Sequence, residues 1–235
     1  MPRHSKLTAI GFDADDTLWQ NERIFQMTEQ RFTGLLSGHA TTGQISNRLL
    51  EAERRNLKFY GYGIKGFTLS MIETAVEVTG GKVPANVIAE ILAFGRDMVS
   101  HPVETLPHAR PSLEQLAQDH RLILITKGDL FDQERKLAQS GLGDFFAAVE
   151  IVSEKTHETY TRIFARHGDG ALHSMMVGNS LKSDIVPAIA AGSWGVHVPH
   201  ELTWALEHEV APDDQVRFHR IADLGELPDL IRQIA

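Results

Sequence analysis

The chain has 235 residues, 42% hydrophobic and 23% charged, enough to bury a sizeable core without staples and too ordinary in composition for a disordered chain. It has no cysteine, which excludes disulfide scaffolds, thiolate metal sites and cysteine nucleophiles. Lys and Arg total 23 against 31 Asp and Glu, a net charge of −8, which speaks against a nucleic-acid partner but permits a local site for a small anion.

Residues 1–6 are followed by only Leu7 to Phe12 before Asp13, too short and too soon acidic for a signal peptide. No apolar run approaches the roughly 20 residues of a spanning helix, so the expectation is a cytoplasmic protein with no membrane partner. LTAIGF, Leu7 to Phe12, predicts a short buried strand. From about Gln20 to Ser100 the pattern turns helical, predicting helices over 21–37, 42–58, 66–79 and 85–99. Thr41 and Thr42 suit the cap of the second, and Pro84 suits the first turn of the fourth. FYGYGIKGF, Phe59 to Phe67, reads as a glycine-rich joint between the second and third.

Beyond Leu106 helix and strand alternate. A helix over 111–119 leads to a strand at Leu122 to Thr126, and a helix over 130–140 closes at Gly141. A strand at Ala147 to Val152, a helix over 157–167 and a strand at His173 to Gly178 follow. A helix over 182–191, a strand near 194–198, a short strand near Phe218 and a helix near 226–234 complete the chain. Strands separated by single helices predict an α/β fold with a doubly wound parallel sheet. The helical stretch between its first two strands reads as an insertion, giving a core of 1–19 and 104–235 and an inserted domain of 20–103.

In such sheets ligands bind beyond the carboxyl ends of the strands. Asp13-Ala14-Asp15-Asp16-Thr17-Leu18 follows the first strand, and Thr126-Lys127-Gly128-Asp129 ends the second. Lys155 comes shortly after the third, and Gly178-Asn179-Ser180-Leu181-Lys182-Ser183-Asp184 ends the fourth. Each alone has an ordinary explanation: a turn, a helix cap, a solvated lysine, a carboxylate at a helix start. Four such accidents in order, each at a strand end, are less economical than one site.

These strings resemble the motifs of the haloacid dehalogenase superfamily of hydrolases. DADDTL resembles its first motif, Thr126 with Gly128 its second, Lys155 its third and GNSLKSD its fourth. The resemblance covers essentially the whole chain, with a Rossmann-like core and the helical insert as a cap domain between the first two motifs. It departs from the family at Asn179, where Asp is usual, and at Lys127, where Asn is common. The resemblance implies that Asp13 is a nucleophile forming an aspartyl phosphate and that Asp15 is its general acid and base. Thr126, Lys127, Gly128 and Lys155 would receive the phosphoryl group. Asp13, Asp184, Asn179 and the main-chain carbonyl of Asp15 would hold Mg2+, more weakly than with Asp at position 179. Thr17 would secure the turn that aims Asp15.

Dehalogenating relatives lack an acid at the place of Asp15, because halide leaves unprotonated. A phosphatase acting on a small phosphorylated metabolite is therefore expected. A mutase-type phosphotransferase, a 2-haloacid dehalogenase-type hydrolase and a catalytically weak phosphate-binding relative are the alternatives. A signalling receiver module fits poorly, being about half this length with no helical insert. In the joint, Tyr60, Tyr62 and Lys65 are candidates for contacting the leaving group, set against an ordinary interhelical turn. The protein would act as a monomer or homodimer.

Overall fold

A computed structural model describes residues 7–234; the N-terminal hexapeptide, expected not to be a leader, lies outside the described residues. They divide into a sheet unit, 7–20, 103–127 and 133–234, and a helical unit, 21–102 with 128–132.

The sheet unit is built on β1 (Ala9–Phe12), β2 (Arg121–Lys127), β3 (Ala148–Val152), β4 (Ser174–Gly178), β5 (Trp194–His197) and β6 (Phe218–Arg220). Their order is β3-β2-β1-β4-β5-β6, every neighbouring pair parallel. All four residues of β1 are buried, as a central strand covered on both faces requires. Successive side chains alternate between faces. Ile10 and Phe12 join Leu113, Leu116, Leu227 and Ile231, carried by α5 (Ala109–Leu116) and α9 (Leu227–Ile234). Ala9, Ile123, Ile125 and Met176 join Tyr160, Ile163 and Phe164 of α7 (His157–His167), with Ala188 of α8 (Val186–Ala190). The predicted doubly wound α/β sheet is thus the observed fold.

The chain builds outward from β1 to β3, then crosses back to place β4 on the other side of β1. That reversal opens a crevice at the carboxyl ends of β1 and β4. The register pairs Phe12 with Val177, so Asp13 and Gly178 emerge side by side. Where the chain leaves and re-enters the unit its two passes are bonded, Gln20 N–H to Glu104 O and Leu106 N–H to Leu18 O, both at 2.9 Å.

The helical unit holds α1 (Glu22–Leu35), α2 (Thr42–Tyr60), α3 (Ile64–Val78) and α4 (Ala85–Ser100), around a core of its own that includes Phe32, Leu49, Phe67, Met71, Ile91 and Phe94. Thr41 caps α2 through a reciprocal pair with Gln44, which satisfies two otherwise unpaired donors. Pro84 stands at the cap of α4, one residue outside the predicted first turn. The joint is shorter than the expected 59–67. Only Gly61 and Gly63 take positive φ, 69° and 105°; Phe59 and Tyr60 continue α2, while Ile64 and Lys65 begin α3.

In the sheet unit α6 (Leu130–Ser140) begins at a residue grouped with the helical unit and ends, as expected, before Gly141, whose φ is 65°. The predicted helix over 182–191 is two pieces. Leu181–Ile185 forms a π-helical turn, with Ile185 N–H reaching Ser180 O, and α8 starts afresh near Pro187, which has no N–H to donate. Among the described residues no helix is long and apolar enough to cross a membrane.

Candidate active site

β1 leaves the sheet at Asp13, whose N–H bonds Val177 O at 2.9 Å and extends the pairing with β4. The chain then turns tightly, Leu18 N–H returning to Ala14 O, with Asp16 at φ 59°, a left-handed conformation that Asp adopts more readily than most residues. Thr17 Oγ1 lies 3.2 Å from Asp13 Oδ2 and 3.4 Å from Asn179 Oδ1, and accepts the Asn179 N–H at 3.0 Å. Thr17 therefore ties the ends of β1 and β4 together, where it was expected to aim Asp15.

Lys155 stands between two carboxylates. Its Nζ lies 2.5 Å from Asp13 Oδ1 and 2.6 Å from Asp184 Oδ1, and all three side chains are buried. The π turn aims Asp184: its Oδ2 accepts the Ser180 N–H at 2.9 Å while Ser180 Oγ accepts the Ser183 N–H at 3.0 Å. Gly178 leaves room for this. A Cβ there would collide with the Asp184 carboxylate.

Burial and then the charge of Asp184 push Asp13 up to about 7, against the lowering influence of Lys155. Burial pulls Lys155 down, but Asp13 and Asp184 outweigh it, so the ammonium is held charged well above the usual range. Tyr160 bonds Ser183 O at 2.9 Å, and burial with the nearby carboxylates keeps its phenol protonated. His197 Nε2 lies 3.0 Å from Asn179 O. A carbonyl can only accept, so that nitrogen carries the proton, and burial lowers the ring's affinity for a second one.

Asp15 points to a different set of partners. Its Oδ1 takes Trp19 Nε1 at 2.7 Å and Lys136 Nζ at 2.6 Å; its Oδ2 takes Gln133 Nε2 at 2.8 Å and Lys136 Nζ at 2.8 Å. The sequence reading missed Gln133, Lys136 and Tyr160. A helical polar pair at i, i+3 carries no mark of what it meets across the fold.

Thr126 is buried at the end of β2, its Oγ1 3.3 Å from Lys127 O. Gly128 takes φ 129°, a backbone suited to glycine. The Lys127 ammonium lies 2.7 Å from both Ser183 Oγ and Glu207 Oε1. Glu207, also missed, accepts from Ser180 Oγ and Ser183 Oγ through its other oxygen, at 2.6 Å and 2.5 Å. Burial raises Glu207, but Lys127 and these hydroxyls outweigh it and hold the carboxyl below its usual value. Tyr60, Tyr62 and Lys65 belong to the helical unit: Tyr60 is exposed, Tyr62 half-buried, and Lys65 Nζ lies 2.9 Å from Asp129 Oδ2.

Among the described residues no three His, Cys, Asp or Glu side chains gather as a metal site. The donors brought together at the β1 and β4 ends are two carboxylates, Asp13 and Asp184, both against Lys155, and the amide oxygen of Asn179, which shares Thr17 Oγ1 with Asp13; Asp15 follows two residues along the turn. This all-oxygen set suits a hard cation of the Mg2+ type, which takes one or two carboxylates and completes its shell with water or substrate oxygens. Burial raising Asp13 marks a place where added positive charge is favourable.

The family model for haloacid dehalogenase-like hydrolases matches residues 7–192. A haloacid dehalogenase-like family hydrolase from Xanthomonas campestris has a crystal structure that superposes with a TM-score of 0.87 at 40% identity, covering 100% of this chain and 94% of that one. The L-2-haloacid dehalogenase of Xanthobacter autotrophicus, with chloropropionic acid covalently bound, shares the fold at 19% identity and a TM-score of 0.68, over 97% and 100% of the two chains. A ribulose-1,5-bisphosphate 5-phosphatase from Halopiger xanaduensis is 28% identical over 242 residues, 95% of this chain and 99% of its own.

Proposed function

The chain belongs to the haloacid dehalogenase-like hydrolase family, and on that premise we propose that this hydrolase is a magnesium-dependent phosphatase acting on a small phosphomonoester through an aspartyl phosphate. One observation carries the reading. Two carboxylates two residues apart at the end of β1 are held by different partners, Asp13 by Lys155 and Asp15 by Trp19, Gln133 and Lys136. An alkoxide leaving group needs a proton and halide does not, so a second carboxylate set apart from the nucleophile suits ester cleavage. The similarity to a protein named as a sugar-bisphosphate phosphatase supports the same class.

In the first step an Asp13 oxygen attacks phosphorus, the ester P–O bond breaks, and the leaving oxygen takes a proton from Asp15, which enters the step in its acid form. Water then attacks the aspartyl phosphate, gives its proton to Asp15, and releases phosphate with Asp13 restored as a carboxylate. The buried Lys155 ammonium, paired with Asp13 and Asp184, would keep positive charge beside the transferring group, where phosphoryl transfer depends on electrostatics and positioning. The Thr126 hydroxyl would donate to a phosphoryl oxygen. Mg2+, held by Asp13, Asp184, Asn179 and the Asp15 carbonyl, would neutralise charge between nucleophile and substrate. Tyr60, Tyr62 and Lys65 are the helical unit's candidates for substrate choice, Lys65 already being paired with Asp129.

The test is phosphate release from an aryl phosphate with Mg2+, followed by a panel of phosphorylated metabolites. Asp13→Asn is expected to abolish release, and a variant as fast as wild type would remove Asp13 as nucleophile. Unchanged preference of Lys65→Ala across the panel would remove Lys65 from substrate choice. No turnover at millimolar Mg2+, with phosphate analogues still bound, would favour a binding protein.

A further inference from the structure

An ionised carboxylate offers about four lone-pair sites, and in Asp15 four contacts from three residues occupy them. Lys136 supplies two of these, one to each oxygen, at 2.6 and 2.8 Å. Gln133 Nε2 takes Oδ2 and also donates to Lys127 O at 2.9 Å, which fixes the amide itself to the end of β2. The Trp19 indole takes Oδ1 from a fully buried ring. Lys136 and Gln133 are themselves buried, one helical turn apart on the same face of α6. A buried ammonium is costly unless it is paired, so the placement of Lys136 is tied to the carboxylate it holds.

Resting on the phosphatase reading, we propose that Lys136 and Gln133, with Trp19, are positioning residues that aim the Asp15 carboxylate for proton transfer to the leaving group. A fully occupied carboxylate can neither take nor give a proton, so one contact has to open during turnover. The two-fold contact of Lys136 is the one that can open without loss of aim. Releasing one oxygen leaves Lys136 on the other, so that all three partners still bear on the group. Lys136 is assigned no contact with the substrate or the transferring phosphoryl group in this scheme; it acts through Asp15.

The experiment compares single-turnover release of the alcohol from an alkyl phosphate with release of nitrophenolate from 4-nitrophenyl phosphate, which departs without a proton. In Lys136→Met, alcohol release is expected to fall by about 10²-fold, the lower end of what a positioned general acid contributes, and nitrophenolate release by no more than about threefold. Lys136→Arg should recover about tenfold on the alkyl ester, and Gln133→Leu should show the same selectivity more weakly. Equal losses on both esters, or none on either, would overturn the proposal by making the pair merely structural. A crystal structure of Lys136→Met gives a readout independent of turnover. An Asp15 carboxylate turned away from Gln133 and Trp19 supports positioning by Lys136, and one that has not moved overturns it. A wild-type protein that cleaves neither ester refutes the phosphatase reading instead, and the crystallographic comparison still decides whether Lys136 aims Asp15.

Discussion

Asp13→Asn should gain stability relative to wild type in the metal-free protein as pH rises towards neutrality. Asp13 is buried beside Asp184, and its carboxyl is raised from 3.8 to about 7. A raised carboxyl favours the folded state while protonated, and that stabilisation is lost as pH rises through the folded value. Asparagine is close to a permanently protonated aspartate, so it does not lose stability over that interval. The slope for one group is bounded at about 1.4 kcal/mol per pH unit. Between about pH 5 and about pH 8 the variant should gain roughly 2.6 kcal/mol on wild type, with most of the gain below about pH 7. Loss of the Asp13–Lys155 contact shifts the whole curve and leaves its shape. Urea unfolding in EDTA at several pH values, followed by circular dichroism, measures the difference. Parallel curves for the two proteins would refute this electrostatic account of Asp13, and a difference that shrinks with rising pH would reverse it.

Mg2+ should raise the wild-type melting temperature, by about 2.7 kcal/mol of stability at a hundredfold excess over its dissociation constant. Asp184→Ala should remove that response, and melting curves indifferent to Mg2+ in wild type would refute the metal assignment. Gly178→Ala drives a methyl group into Asp184 and is expected to weaken the Mg2+ response at least tenfold in concentration, read from the same titration. Glu207→Ala leaves the largely buried Lys127 ammonium without its carboxylate and should cost about 3 kcal/mol in urea unfolding. Because the Glu207 carboxyl is held below its usual value, the stability it lends is present at neutral pH and fades as pH falls through the folded value; an equal cost at about pH 3 and pH 7 would contradict this.

The strands and most helices of the sheet unit were legible because each carries a local signal: apolar runs for β1 and β2, a glycine closing α6. The motif order was legible for the same reason, since Thr126 closes one strand and Asp13, Lys155 and Asp184 follow others. Helix ends were harder where the deciding group lies elsewhere. The joint between α2 and α3 contracts to Gly61–Gly63 because only those two glycines need a positive φ. The partners of site residues were not legible. Gln133 and Lys136 lie in a helix whose sequence reads as solvated, and Glu207 sits in 199–217, a stretch without periodicity. What gives them meaning is the parallel crossover, which brings α6 beside the turn after β1.

The two carboxylates of the proposed reaction face opposite problems, and their surroundings differ accordingly. Asp13 has to be ionised to attack phosphorus, yet burial and its acidic neighbours favour the neutral form. Lys155 offsets part of this, but it is shared with Asp184, so two buried carboxylates draw on one ammonium. A cation bound by Asp13, Asp184 and Asn179 would ionise the nucleophile and receive the substrate's charge in the same place, which couples activation of Asp13 to assembly of the site. Asp15 needs the reverse, a carboxylate that can take and return a proton without drifting. Its partners come from α6 and Trp19, outside the Lys155 cluster, and its charge is the last-ranked of the influences that raise Asp13. The −8 of the whole chain does not oppose an anionic substrate, because what such a substrate would meet on the proposed reading is this local balance of two carboxylates, an ammonium and a cation bound between them.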